Sequence, residues 1–136
     1  TLQNIVIWRD TSKSMSFSSN KNIDTKAYRS DLLTLALTII FSKSGENIVL
    51  NGLNSKLMHG KEAINFISSQ MSEKIKNTFI SKPNVNEIKN NSEVILISDF
   101  LCDIEHTKEI VQNLSSRGIN GSIIQILEKA FSAPLI

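Results

Sequence analysis

The sequence is poor in cysteine, in long apolar runs and in excess charge of either sign. Cys102 is the one cysteine in 136 residues, so neither a disulfide framework nor a cysteine-rich zinc site can be built. A lone thiol suits a reducing compartment, and the cytoplasm is the expected location. The longest apolar run, residues 32–41, is interrupted by Thr34 and Thr38. It falls short of the roughly 20 residues needed to cross a bilayer. No signal peptide is visible. The chain starts at Thr1 and enters a strand-like run almost at once, so a piece of a longer protein is expected. The formal net charge is only +2. No basic stripe with interleaved aromatics occurs, which argues against a nucleic-acid partner. A P-loop and a Gly-x-Ser-x-Gly elbow are also missing.

What is present is the balance of an ordinary globular protein, 40% hydrophobic and 21% charged, in a length that suits one domain with one core. Residues 5–8 are apolar, with Ile5, Val6 and Ile7 β-branched, the pattern of a strand buried on both faces. A polar, Ser-rich loop from Thr11 to about Thr25 leads to a helix over 26–43. Leu32, Leu33, Leu35, Ala36, Ile39 and Ile40 cover much of its circumference, so it is expected to pack deeply. Asp24 or Thr25 can cap its start and Gly45 can close its end. Residues 48–50 form a second strand, and Asn51-Gly52 signals a turn from which 56–58 returns as a short antiparallel edge.

Apolar positions Ala63, Ile64, Phe66, Ile67, Met71, Ile75 and Phe79 predict an amphipathic helix over about 61–81, ended by Pro83. Residues 93–98 form the clearest buried strand. Asp103 can cap a helix reaching about Ser116, with Ile110, Val111 and Leu114 inward and Gly118 as its stop. Residues 122–127 form the last strand. This β-α-β-β-α-β-α-β order predicts a three-layer α/β/α sandwich. Its sheet is mostly parallel and doubly wound, with one short antiparallel edge strand.

Two of these strands end in an aspartate, Asp10 and Asp99. Ligands of doubly wound sheets gather beyond the carboxyl ends of the strands, where the strand order reverses. Ser12 and Ser14 follow Asp10 at alternate positions, and alternate side chains of an extended loop point the same way. Two carboxylates and two hydroxyls facing one point are hard oxygen donors suited to Mg²⁺ or Mn²⁺. The same residue types also make turns and helix caps without any ligand.

Asp10-Thr11-Ser12-Lys13-Ser14-Met15 resembles the Asp-x-Ser-x-Ser motif of the metal-ion-dependent adhesion site of von Willebrand factor A domains. Residues 8–15, the helix start over 26–37 and Val94-Ile95-Leu96-Ile97-Ser98-Asp99-Phe100-Leu101 resemble the bacterial family called domain of unknown function 58. The resemblance spans about residues 4–128. It implies strand order 3-2-1-4-5-6 and a metal at the top of the sheet. Ser12 and Ser14 would be direct ligands, and Asp10 and Asp99 would coordinate directly or through water. It also implies a binding or assembly module that works with a MoxR-type AAA+ ATPase in maturing other proteins, from a parent that often carries membrane segments. That last step is association rather than chemistry.

Two departures from the family pattern stand out. The adhesion site adds a threonine, and the matching stretch 54–61 has none; Ser55 or His59 are the substitutes on offer, Thr78 falling in or just after a helix. Relatives also continue with another strand and helix where this chain ends.

Three readings follow. The first is a non-enzymatic protein-binding module whose metal keeps one position for an acidic residue of a partner, with Lys13, His59 and Phe100 as partner contacts. The second is a metal-free scaffold of the same fold. The third is a Mg²⁺-dependent phosphoryl-transfer enzyme, disfavoured because Ser12 stands where such enzymes place a second carboxylate. Among other residues, Arg9 is expected to point away from the site into a salt bridge or a partner contact, Trp8 to join the core or flank the first strand, and Asp103 to cap. Glu105 is a first-turn charge, His106 a surface residue and Cys102 inert.

Overall fold

The computed structural model describes residues 3–16, 24–52, 56–72, 82–101 and 103–128. Their order is β1 (Asn4–Arg9), α1 (Lys13–Ser16), α2 (Lys26–Lys43), β2 (Asn47–Leu50) and β3 (Leu57–His59). There follow α3 (Lys61–Ser72), a 3-10 turn (Val85–Glu87), β4 (Ser92–Ser98), α4 (Ile104–Ser116) and β5 (Asn120–Gln125). The strands form one sheet in the order β3-β2-β1-β4-β5. β1 pairs in parallel with β2 and β4, and β4 with β5, while β3 runs antiparallel to β2. The order among the described residues therefore matches the first five strands of the expected series. The last strand begins two residues earlier than expected. Ile75, Phe79 and the end of the long helix expected over 61–81 lie outside the described residues.

Alternation along the strands divides the core in two, since successive side chains point to opposite faces. Ile5 and Ile7 of β1 join Ile95 and Ile97 of β4 on one face, beneath α2 and α3. Val6, Trp8, Val94 and Leu96 occupy the other, beneath Ile110 and Leu114 of α4 and Ile88. Helices cover both faces, as the sequence predicts. Thr25 caps α2, its Oγ1 accepting the Tyr28 N–H at 3.1 Å. Asp103 caps α4, accepting the His106 N–H at 3.1 Å. Gly45 and Gly118, at φ 83° and 71°, follow the two helix ends in the left-handed conformation that an L side chain disfavours. Val111, expected inward, is 37% exposed at the rim of α4.

α2 is packed less deeply than its apolar residues predict. The fully buried line is Lys26, Ser30, Thr34 and Thr38, spaced four apart. Leu32 is 50% and Ile40 58% exposed. Apolar residues occur on every side of this helix, so periodicity does not select a face. Small polar residues can lie on the buried line where their hydroxyls are satisfied within the helix, as those of the two threonines are, although Ser30 Oγ finds no partner among the described residues. Thr34 Oγ1 donates to the Ser30 carbonyl and Thr38 Oγ1 to the Thr34 carbonyl, each at 2.8 Å. A buried hydroxyl with such a partner avoids most of its desolvation cost.

Candidate functional site at the top of the sheet

Strand order reverses between β1 and β4, whose register pairs Arg9 with Ile97. Asp10 and Ser98 therefore leave the sheet side by side, and Asp99 stands one residue further on. The Asp10 N–H donates to the Ile97 carbonyl at 2.8 Å, continuing the ladder one step past β1. Asp10, Ser98 and Asp99 are 5%, 2% and 0% exposed. Burying carboxylates so thoroughly is costly unless each oxygen finds a donor.

Each oxygen does. Asp10 Oδ1 accepts the Ser12 N–H at 2.8 Å, and its Oδ2 accepts the Ser98 hydroxyl at 2.6 Å. The first of these is a turn stabilised by its own aspartate, and it sends the chain into α1. Ser12 Oγ then lies 3.2 Å from Ser14 Oγ, and the Ser14 hydroxyl bonds Asp99. Asp99 Oδ1 accepts the Leu101 N–H at 3.2 Å, and its Oδ2 accepts from Lys26 Nζ at 2.9 Å. All four residues expected to form the site thus belong to one hydrogen-bonded chain, and Lys26 of α2 closes its far end.

Lys26 is the residue of the site that no sequence motif marks. It sits in the first turn of α2 and is 5% exposed. A cation there faces the positive end of the helix dipole, and the first turn holds no acidic residue to offset it. That local mismatch was the available signal: such a lysine needs an anion from elsewhere. Asp99 supplies it because it follows Ile95 and Ile97, which face α2. Arg9 obeys the same alternation. It points to α2, on the face that Asp99 shares and not away from it, and forms an ion pair with Asp31, one of the two contacts expected of it; burial lowers its pKa.

Burial works against ionisation of Asp99, but the Lys26 ammonium, the Leu101 N–H and the Ser14 hydroxyl together outweigh it. They hold the carboxyl below its ordinary range. Further supports are Gln125, whose Nε2 donates to the Asp99 carbonyl at 3.0 Å, and Ser98, whose Oγ accepts the Phe100 N–H at 2.9 Å. Phe100 has φ 51°, a strained value for an aromatic residue. It turns the chain off β4, and its ring packs on the Trp8 side of the core. Beside it, Trp8, Asp10, Ser98, Phe100 and His106 border a cavity of about 70 Å³.

The expected partner contacts separate. Lys13 is exposed at this end, and Phe100 is half-buried there. His59 pairs in register with Asn47, the first residue of β2, and its Nδ1 lies 3.2 Å from Asn47 Oδ1. It therefore lies at the opposite end of the sheet from Asp10 and is no part of this site. The antiparallel return of β3 carries it there. Ser55 and Thr78, weighed as replacements for the missing threonine, lie outside the described residues, as does Cys102. Leu101 and Ile104, 65% and 62% exposed, flank the site instead.

The oxygens of Ser12, Ser14 and Asp99 are of the right chemistry for Mg²⁺ or Mn²⁺, but the charge is not. Among the described residues no three His, Cys, Asp or Glu side chains gather as a metal site, and a cation already holds Asp99. A divalent ion bound to Asp99 would stand about 4–5 Å from the ammonium. Repulsion there is roughly 7 kcal/mol at the effective dielectric typical of proteins. The residues present do not fit a divalent metal while Lys26 is engaged.

The fold and site define a mostly parallel α/β sheet with a buried polar cluster at its switch point. No protein-family model matches the sequence, and no curated protein matches it. No helix among the described residues is long and apolar enough to cross a membrane.

Proposed function

We propose that this chain is a non-enzymatic protein-binding module of the von Willebrand factor A type, in its metal-free form. Its partner would meet the end of the sheet where Asp10, Ser12, Ser14 and Asp99 converge. The observation that carries the reading is the buried chain from Asp10 to Lys26, in which each carboxylate oxygen already accepts a hydrogen bond. Such a cluster shapes the β1–α1 and β4–α4 loops, its carboxylates engaged in hydrogen bonds that hold those loops. The loops then present Lys13, Leu101 and Ile104 to a partner, two exposed apolar side chains beside a charge. Exposed apolar residues grouped at a site favour protein recognition. The metal-dependent form of the same module requires Lys26 to leave Asp99.

The partner suggested by the resemblance is an AAA+ ATPase of the MoxR type, and maturation of other proteins is the shared task. The test is capture of an AAA+ ATPase from the native host, with Leu101→Glu and Ile104→Glu as controls. The wild type should retain the ATPase in the presence of a chelator, and both variants should lose it. An ATPase held equally by all three proteins, or by none, overturns the proposal.

A further inference from the structure

We infer that the Lys26 ammonium is the resident cation of this site, standing in for a divalent ion, and that a neutral residue at position 26 would turn the cluster into a divalent-metal site. The inference rests on the geometry of the cluster and not on the protein-binding reading, so partner capture and metal response fail separately.

The placement of Lys26 is the first argument. It is buried, it lies against the dipole of its own helix, and its Nζ is 2.9 Å from an oxygen of an aspartate that is 0% exposed. Neither propensity nor helix electrostatics favours a lysine there. The reward comes from Asp99, whose buried charge needs a cation.

Charge is the second argument. Asp10 and Asp99 bring two negative charges to the cluster, and the ammonium leaves one uncompensated. That remaining charge belongs to Asp10, which the Ser12 N–H and the Ser98 hydroxyl solvate. Adding a dication to the intact cluster would reverse its sign in a buried place. With a neutral residue at 26, a dication and two carboxylates balance.

Donor spacing is the third. The Ser12 and Ser14 hydroxyl oxygens are 3.2 Å apart. Neighbouring oxygens around an octahedral Mg²⁺ are separated by about 3.0 Å, given bonds of 2.0–2.1 Å. The Ser14–Asp99 bond brings a carboxylate to the same pair of hydroxyls. Removing the ammonium would leave these oxygens together without a cation.

Mn²⁺ is the probe, read by the thermal midpoint and by the number of ions bound at equilibrium. The wild type should bind none and show the same midpoint in chelator and in Mn²⁺. Lys26→Met and Lys26→Thr should each bind one Mn²⁺. Their midpoints should rise by roughly 5–10 °C when Mn²⁺ is about a hundredfold above its dissociation constant. Adding Asp99→Asn to either variant should abolish both signals. A Lys26 variant that folds only when Mn²⁺ is present supports the inference equally. Mn²⁺ bound by the wild type overturns it. So do Lys26 variants that Mn²⁺ neither binds nor stabilises.

Discussion

Helices α2 and α4 cover opposite faces of one sheet and bury opposite kinds of side chain. α4 is an ordinary amphipathic helix, with Ile110 and Leu114 buried one turn apart and a polar outer face. α2 buries Lys26, Ser30, Thr34 and Thr38 and leaves Leu32 and Ile40 half-exposed. The difference follows from what each helix meets. α4 lies on Val94, Leu96 and Trp8, an apolar surface. α2 must also deliver its first residue to Asp99 and Asp31 to Arg9. Two ion pairs set where its N-terminal half sits, and small residues follow along the line of closest approach. α4 is held by transfer of apolar area, whereas α2 adds two ion pairs to the apolar packing of Ala27, Leu33, Leu35, Leu37 and Phe41.

The largest effect that would break this contrast is loss of the Lys26–Asp99 pair. Asp99→Ala leaves a buried ammonium uncompensated and should cost about 3–5 kcal/mol in urea unfolding. Lys26→Met should cost a similar amount in chelator. The double variant should lose far less than the sum, because both changes remove one interaction. An additive result would mean the two charges are stabilised independently. The pair also gives stability a pH signature. Asp99 is held below its ordinary value of 3.8, so the folded state binds its proton less readily than the unfolded chain. Its contribution is therefore present above the unfolded value and lost as pH falls through the depressed folded one. An acid titration of the unfolding free energy should show this loss in the wild type, and Asp99→Asn should flatten it.

Next in size is truncation in α4 set against removal of a hydroxyl in α2. Leu114→Ala should cost about 2–4 kcal/mol, the usual loss for a buried leucine. Thr34→Val, at a position that is 0% exposed, should cost under about 1.5 kcal/mol. Its hydroxyl donates to a carbonyl within its own helix, a bond of modest net value. Equal losses would show that α2 depends on that hydroxyl for more than satisfying itself.

The smallest effect compares the caps. Thr25→Ala and Asp103→Ala should each cost about 1 kcal/mol. The α2 variant should lose more than the α4 variant, because Lys26 adjoins the cap and must hold its place against Asp99. Equal losses in thermal or urea unfolding would separate capping from positioning of the ammonium.

Much of the site was legible before the fold was known, since its signals are local. Two buried strands that stop at an acid, and serines alternating after one of them, are patterns within a few residues. Lys26 carried only a weak sign, a cation in a first turn that lacks acids. The sequence places His59 at the wrong end because a short hairpin reverses direction, and sequence order near Asn51-Gly52 does not say how far the return runs. In the sequence Leu101 is only the continuation of a strand motif. Its exposure depends on the turn that Phe100 makes at φ 51°.

The sequence by itself determined the alternation of strands and helices, the caps at Thr25 and Asp103, and the acids and serines of the top loop. Each of these depends on spacing, propensity or a side chain reaching its own backbone neighbours. Only the tertiary structure decided which face of α2 is buried and which cation answers Asp99. A helix with leucine and isoleucine on every side gives no preferred face until it docks. An ion pair spanning 73 positions exists only once α2 lies across β1 and brings its first turn over the end of β4.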